Sequence, residues 1–129
     1  MKFGREILKN VEGYVPGEQP KMQGIVKLNT NENPYPPSPR VLQAVQEIST
    51  EMVRKYPDPV SKRLRETIAE HYGVAGADWI IVGNGMDDIL AMAVRAFVDP
   101  GDTILSPYPT YTLYETLANL HGATMNYVD

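Results

Sequence analysis

Residues 82–88, Val-Gly-Asn-Gly-Met-Asp-Asp, are the part of this chain whose types and spacing best suit a chemical role. The apolar residues 79–81 precede them and the apolar residues 89–94 follow, which predicts a buried strand, a tight glycine turn and a helix start. The first N–H groups of a helix lack backbone acceptors and carry a partial positive charge, so they favour an anion. Two glycines let the backbone approach a phosphate closely. The pattern therefore predicts one part of a site for a phosphate-bearing ligand.

Other residues whose side chains could take part in catalysis or binding have simpler interpretations. The side chains of Asp87 and Asp88 are interpreted as carboxylates that favour the positive end of the helix dipole rather than as ligands. His71 and His121 fall near predicted helix ends, and their spacing supports no metal site. The chain contains no cysteine, which excludes disulfides, thiolate metal sites and a cysteine nucleophile.

The elements that must position residues 82–88 alternate in type. Strands are predicted at 79–82, 103–106 and 123–128, with helices from the glycine turn to about 98 and over 111–121. This order predicts an α/β fold with a mainly parallel sheet and helices on its faces. Ligands bind at the carboxyl ends of such strands, so residues 83–86 and 107–111 should share one edge of the sheet.

The residues before 79 divide into two parts. Residues 1–38 are rich in glycine and proline and predict an extended arm, with a disordered tail as the alternative. A helix should begin at Ser38 and Pro39 and bury an apolar stripe that runs from Val41 to Met52. A second helix should cover 61–72 and end at Gly73. The expected domains are therefore 1–38, 39–78 and an incomplete α/β domain at 79–129.

Bulk properties narrow the class of protein. The chain has 129 residues and a net charge of −4, which favours neither nucleic acid nor a membrane surface as a partner. No signal peptide or long apolar stretch is visible, so a cytoplasmic location is expected.

Six short segments, taken in order, resemble the fold type I pyridoxal-phosphate-dependent aminotransferases of class I and II. They are residues 27–34, 37–39, 56–59, 82–85, 97–102 and 107–111. Within that family they are most similar to the histidinol-phosphate aminotransferases. The resemblance implies a homodimer with a three-layer α/β/α large domain, acting on small amino-acid and keto-acid substrates. The implied reaction moves an amino group from histidinol phosphate to 2-oxoglutarate in histidine biosynthesis.

The resemblance also implies roles for particular residues. The phosphate of pyridoxal 5'-phosphate would lie on the backbone N–H groups near Gly85, Met86 and Asp87, and the Tyr111 ring would stack on the pyridine ring. Tyr56 would reach across the dimer to the partner's cofactor phosphate. Residues of the arm would close over the substrate, and those expected are Tyr14, Asn31 and Asn33.

The resemblance further implies groups that this chain does not supply. A lysine must hold the cofactor as a Schiff base, a carboxylate must face the pyridine nitrogen, and arginines must clamp the substrate. None of the lysines falls in a suitable loop; they are Lys2, Lys9, Lys21, Lys27, Lys55 and Lys62. We therefore expect no catalytic residue here and interpret the chain as the N-terminal part of a longer enzyme. Because the strand at 79–82 would lack its neighbour, residues 1–129 alone should not fold cooperatively.

Alternative interpretations remain open from the sequence. An aromatic-amino-acid aminotransferase or a threonine-phosphate decarboxylase would share the fold and most of the motifs. A non-catalytic phosphate-binding module would use the same helix start, and an interaction domain would use the arm of residues 1–38 to bind a partner.

Overall fold

A computed structural model describes residues 4–9, 11, 17–18 and 21–129. Over these ranges the chain contains α-helices and a two-stranded sheet, with short 3-10 helices at Glu6–Lys9 and Ala77–Trp79. The α-helices are α1 (Pro39–Gln46), α2 (Thr50–Val53), α3 (Lys62–Tyr72), α4 (Met86–Phe97) and α5 (Leu113–His121). The strands are β1 (Thr103–Pro107) and β2 (Thr124–Val128). None of the helices in the described ranges is long and apolar enough to cross a lipid bilayer.

The two strands confirm the predicted parallel pairing. Thr103 pairs with Thr124 at one end of the ladder and Pro107 pairs with Val128 at the other, with α5 as the connection between them. A parallel pair needs such a crossover because both strands must run in the same direction. The loop that follows β1 therefore leaves from the carboxyl edge of the sheet.

The core of the described residues is small and is built around α5. Leu113, Leu117 and Ala118 of this helix are buried, together with Ala123 in the turn that follows it. The helix packs against β2 and against α4. Burial of a leucine side chain contributes roughly 1.5–3 kcal/mol, so these few residues hold the two strands and α4 together.

Three helix ends lie where serine, proline and glycine residues predict them. The Ser38 hydroxyl accepts a hydrogen bond from the Arg40 N–H at 3.3 Å, with Pro39 in the first turn of α1. The helices α3 and α5 end at Gly73 and Gly122, whose positive φ angles of 66° and 76° are easily adopted without a side chain.

The prediction of one helix from residue 38 to residue 52 is wrong. The helix α1 ends at Gln46, and α2 begins after Ser49, whose hydroxyl accepts from the Met52 N–H at 3.2 Å. A serine that caps a new helix offers the backbone an alternative to continuing the first one. The predicted apolar stripe is therefore split, and Val45 and Met52 are exposed.

The predicted buried strand at 79–82 is also wrong. Trp79 closes a short 3-10 helix, Ile80 is extended, and residues 80–82 have no strand partner among the described residues. Trp79 and Ile81 expose 75% and 62% of their surface. An isolated extended segment cannot satisfy its backbone groups by ladder pairing, so apolar sequence alone does not make it a strand. At the far end of α4, Phe97 is exposed as well.

Candidate functional site

The start of α4 presents free anion-binding groups. Gly85 precedes the helix with φ 84°, and among the described residues no side-chain hydrogen bond caps the helix at this position. Because the first N–H groups of a helix have no acceptor within it, those of Met86 and Asp87 remain available to an external oxygen. The 12-residue helix adds its dipole to this end, which favours negative charge.

The turn before α4 is closed by two hydrogen bonds. The Gly85 N–H donates to the Gly83 carbonyl at 3.0 Å, and the Asn84 N–H donates to Asp88 Oδ2 at 3.0 Å. The Gly85 N–H therefore already has an acceptor within the turn, whereas the sequence suggested it as a donor to the ligand. Asp88 fastens the loop to the helix, a role that its position in the first turn did not reveal.

Gly83 and Gly85 are needed for different reasons. A Cβ atom on Gly83 would lie 2.8 Å from Asp88 Oδ2 and 2.9 Å from Ile89 Cδ1, distances too short for real contacts. A Cβ on Gly85 would meet nothing within 4 Å, but its positive φ strains other residues. Gly83 therefore allows the turn to pack closely against the side chains of Asp88 and Ile89, and the space beside Gly85 is open.

Tyr111 lies beside the start of α4. Its hydroxyl donates to the Asp87 carboxylate, at 3.2 Å to Oδ1 and 3.5 Å to Oδ2. Its ring meets the edge of the Tyr114 ring, with centroids 5.8 Å apart. The structure thus brings the loop after β1 and the glycine turn together as predicted, but not through a shared sheet edge, because residues 80–82 are not a strand.

The loop that carries Tyr111 is held at its base. The Ser106 hydroxyl, which is buried, donates to Thr110 Oγ1 at 3.0 Å. Nearby, the Tyr127 hydroxyl donates to Glu115 Oε2 at 3.2 Å, and the Tyr108 ring packs edge-on against Tyr127. Loss of solvation, together with the charge of Glu115, raises the pKa of the Tyr127 phenol. Tyr127 therefore stays protonated and acts as a donor.

Tyr56 occupies a turn between α2 and α3 and is fully exposed. Asp58 orders this turn by accepting from the Val60 N–H at 3.1 Å and the Lys62 N–H at 2.6 Å. These backbone hydrogen bonds are the main reason that the pKa of Asp58 is lowered. Within the described ranges no hydrogen bond or ring contact joins Tyr56 to Tyr111 or to the start of α4.

The arm residues form a separate turn. Thr30 and Asn31 both have positive φ angles, 62° and 52°, which few side chains other than asparagine adopt readily. Glu32 accepts from Lys27 and from the Thr30 hydroxyl, and the hydrogen bond from Lys27 is the largest cause of its lowered pKa. Asn33 Oδ1 accepts from the Tyr35 N–H at 3.0 Å. Tyr14, the remaining residue expected to contact substrate, lies outside the described residues.

One cation near the glycine turn was not identified from the sequence. The Arg65 guanidinium donates to the backbone carbonyls of Ala77 and Ile80, just before that turn. No periodicity or motif marks this arginine, because its acceptors lie 12 and 15 residues further along the chain. Only the folded arrangement identifies it.

These residues fit a flat ligand that carries a phosphate. Uncapped N–H groups and open space lie at the start of α4, and an aromatic ring lies beside them. The Asp87 carboxylate opposes an anion, but the Tyr111 hydroxyl offsets part of its charge. Among the described residues no group of three or more acidic or histidine side chains could hold a metal ion.

Comparisons with known proteins identify the family to which this chain is similar. The family model for aminotransferase class I and II matches residues 23–129. The histidinol-phosphate aminotransferase of Microcystis aeruginosa is 53% identical over 121 residues, covering 94% of this chain and 34% of that protein. The histidinol-phosphate aminotransferase of Rhodopirellula baltica is 45% identical over 124 residues, covering 96% of this chain and 34% of that protein. The chain thus spans about a third of the length of these curated relatives.

A solved structure is similar in fold. The histidinol-phosphate aminotransferase from Sinorhizobium meliloti, crystallised in complex with pyridoxal-5'-phosphate, superposes with a TM-score of 0.69 at 28% identity. The match covers 77% of this chain and 26% of that one.

Proposed function

The chain belongs to the class I and II aminotransferase family, and from this premise we propose that the protein it forms part of is a pyridoxal-phosphate-dependent aminotransferase. The proposed amino donor is histidinol phosphate and the acceptor is 2-oxoglutarate, in histidine biosynthesis. Relatives named histidinol-phosphate aminotransferase, at 45–53% identity over nearly the whole chain, support this choice of substrate.

One observation carries the proposal: Tyr111 lies at the uncapped start of α4, hydrogen-bonded to Asp87 at 3.2 Å. A phosphate on the Met86 and Asp87 N–H groups would leave the attached pyridine ring within reach of this tyrosine. The two halves of the site come from loops more than 20 residues apart in sequence, and the Tyr111–Asp87 hydrogen bond and the packing of α4 against α5 bring them together. This supports a ligand with both an anionic tail and a flat ring.

When bound, pyridoxal phosphate supplies an electron sink that stabilises negative charge at the α-carbon of the amino acid. The residues of this chain bind and orient rather than transfer protons. The Met86 and Asp87 N–H groups bind the anionic tail, and the Tyr111 ring covers one face and excludes water from it. Asp88 and Gly83 keep the turn in the shape that exposes those N–H groups.

No residue of this chain is assigned the proton transfer. The proposal assigns the Schiff-base lysine, the carboxylate at the pyridine nitrogen and the arginines that clamp the substrate to other segments of the protein. Residues 1–129 alone are therefore expected to be inactive.

We also propose that the whole protein is a homodimer and is located in the cytoplasm. The full exposure of Tyr56, in a turn ordered by Asp58, supports a role for its hydroxyl in a second subunit's phosphate site. Asn31 and Asn33 of the arm, with Tyr14, are proposed to contact the substrate.

Steady-state kinetics of the full-length protein test the proposal. With 2-oxoglutarate as acceptor, kcat/KM for histidinol phosphate should exceed that for phenylalanine by at least about 100-fold, because a site built for a substrate's polar group rejects analogues that lack it. Preference for phenylalanine would identify an aromatic-amino-acid aminotransferase instead, and release of carbon dioxide from threonine phosphate would identify a decarboxylase. Binding of inorganic phosphate or a nucleotide without binding of pyridoxal phosphate would identify a non-catalytic module.

A further inference from the structure

Arg65 connects two segments that lie on either side of it in sequence. Its Nε donates to the carbonyls of Ile80 at 2.8 Å and Ala77 at 3.1 Å, and its Nη2 donates to Ala77 at 2.7 Å. Its Nη1 makes a longer hydrogen bond, 3.4 Å, to the carbonyl of Val60. The side chain is only 21% exposed, so the hydrogen bonds to Ala77 and Ile80 are partly shielded from water.

The carbonyls of Ala77 and Ile80 lie just before the glycine turn of the candidate site. Residues 80–82 have no strand partner among the described residues, and they lead directly into the turn at Gly83 and Gly85. Asp88 fixes that turn at its far end through the Asn84 N–H. Arg65 supplies the side-chain hydrogen bonds at the near end, so the path of the backbone into the start of α4 depends on its guanidinium.

The Val60 carbonyl belongs to the turn that presents Tyr56. Asp58 closes this turn by accepting from the N–H groups of Val60 and Lys62. The turn, together with Arg65 itself at the start of α3, is thereby linked to the segment before α4. One guanidinium thus contacts both the turn that carries Tyr56 and the segment that leads into α4. Phosphate contacts are proposed for both segments, with Tyr56 assigned to the phosphate of the second subunit.

We propose that Arg65 is a positioning residue for the cofactor phosphate site, acting through the backbone carbonyls of Val60, Ala77 and Ile80. This inference rests on the proposed function, because it concerns the residues assigned there to the phosphate. Arg65 itself does not contact the cofactor. Its hydrogen bonds leave from three nitrogens of a rigid planar fork, whereas the three donors of a lysine ammonium all lie on one nitrogen and cannot reproduce this arrangement.

The contact between Arg65 and Asp78 is not part of this role. Arg65 Nη2 lies 3.5 Å from Asp78 Oδ1, but the Asp78 side chain is fully exposed. Exposed ion pairs contribute little because water and salt screen them. Asp78→Asn is therefore a control that removes the charge partner and leaves the carbonyl contacts in place.

The test compares Arg65→Lys and Arg65→Gln with the wild type in the full-length protein. Arg63→Gln is the matched control, since it removes the same charge from an exposed position on the same helix. Equilibrium dialysis of the apoprotein against pyridoxal phosphate should give a dissociation constant raised about tenfold or more in both Arg65 variants. The ³¹P resonance of the bound cofactor should also shift in Arg65→Lys at saturation. Arg63→Gln and Asp78→Asn should match the wild type in both measurements.

The outcomes separate the inference from the proposed function. If the wild type binds pyridoxal phosphate and Arg65→Lys binds it equally well with an unchanged ³¹P resonance, Arg65 has only a structural role and the inference is wrong, even if the melting temperature falls. If the wild type does not bind the cofactor, the proposed function is wrong and the inference with it. If Arg65→Gln does not fold, Arg65→Lys, which keeps the charge and the aliphatic stem, decides the question.

Discussion

At the scale of single residues, the contact between Tyr111 and Asp87 holds the two halves of the candidate site together. The hydroxyl donates to a carboxylate 24 positions earlier in the chain, and the ring is left beside the start of α4. The tyrosine therefore has two separable functions: its ring can cover the cofactor, and its hydroxyl fixes the ring's position.

Substitution of Tyr111 separates these two functions. In the full-length protein, Tyr111→Phe keeps the ring and should weaken pyridoxal phosphate binding by about 1 kcal/mol or less, close to the value of one hydrogen bond. Tyr111→Leu also removes the aromatic face and should cost roughly 0.5–1.5 kcal/mol more. The dissociation constant of the cofactor measures both effects. Equal losses in the two variants would show that the ring does not stack on the cofactor.

A double-mutant cycle tests whether Asp87 acts through Tyr111. Asp87→Ala removes the acceptor, and Tyr111→Phe removes the donor. If the hydrogen bond positions the ring, the two changes should be non-additive in cofactor binding, with a coupling of about 0.5–1 kcal/mol. Purely additive effects would mean that the contact contributes nothing to binding.

At the scale of elements, the turn before α4 depends on the absence of a side chain at Gly83. Gly83→Ala would place a Cβ 2.8 Å from Asp88 Oδ2 and 2.9 Å from Ile89 Cδ1. We expect the Asp88 and Ile89 side chains to move and the hydrogen bond from the Asn84 N–H to Asp88 to be lost, lowering the free energy of unfolding by about 1 kcal/mol and weakening cofactor binding. Chemical denaturation and cofactor titration of the full-length protein measure the two effects.

Gly76→Ala is the matched control for this change. Its backbone is extended, with φ 167°, and a Cβ there would meet nothing within 4 Å. Gly76→Ala should leave stability and cofactor binding near wild-type values. A Gly83→Ala protein that behaved the same way would show that the packing below the turn is not required.

Protonation of Asp58, which accepts backbone hydrogen bonds just before and at the start of α3, should make the stability of the protein depend on pH. Backbone N–H donors, first that of Val60 and then that of Lys62, lower the pKa of this carboxyl in the folded chain. A carboxyl with a lowered folded pKa contributes stability above its unfolded pKa of about 3.9, and that contribution is lost as the pH falls through the folded pKa.

Thermal melts of the wild type and Asp58→Asn between pH 6 and pH 3 check this dependence. The difference in melting temperature of the full-length proteins should be largest at pH 6 and should shrink below about pH 4, where the Asp58 carboxyl of the unfolded chain begins to protonate. Glu66→Gln serves as the control, because this exposed carboxylate makes only an ion pair with Lys62 at 3.8 Å. A difference that stayed constant with pH would contradict the assignment to Asp58.

At the scale of the whole molecule, the chain exposes far more surface than a compact protein of its mass. Its accessible surface is 11610 Å², whereas a folded 14.4 kDa monomer is expected to expose about 6,800 Å². The excess includes large apolar side chains, among them Leu28, Trp79 and Phe97. The apolar surface that would normally stabilise a domain of this size is largely left in water.

This exposure predicts that residues 1–129, produced alone, will not unfold cooperatively. The buried apolar side chains among the described residues are few, and stability must exceed the conformational entropy of the chain. Scanning calorimetry should give a broad trace without a heat-absorption peak, whereas the full-length protein should give a clear one. A sharp transition with equal calorimetric and van't Hoff enthalpies would refute the prediction.

Much of the element order could be predicted because its signals act over a few residues. Gly73 and Gly122 end their helices, Ser38 and Pro39 begin one, and the apolar runs of β1 and β2 alternate with helices in the order that a parallel pair requires. The helix start after Gly85 follows from the same local rules, and with it the expectation of an anion site. The break at Ser49 was missed because apolar spacing continues across it.

The sequence by itself determined the α/β alternation and the position of the glycine turn, because caps, glycines and hydrophobic periodicity are local properties of the chain. Only the tertiary structure decided that residues 80–82 are not a strand and that Tyr111 contacts Asp87. It also decided that Arg65 holds the carbonyls of Ala77 and Ile80. The physical reason is the same in each case: strand pairing and side-chain hydrogen bonds need a partner from a distant part of the chain, and its presence or absence is set by folding.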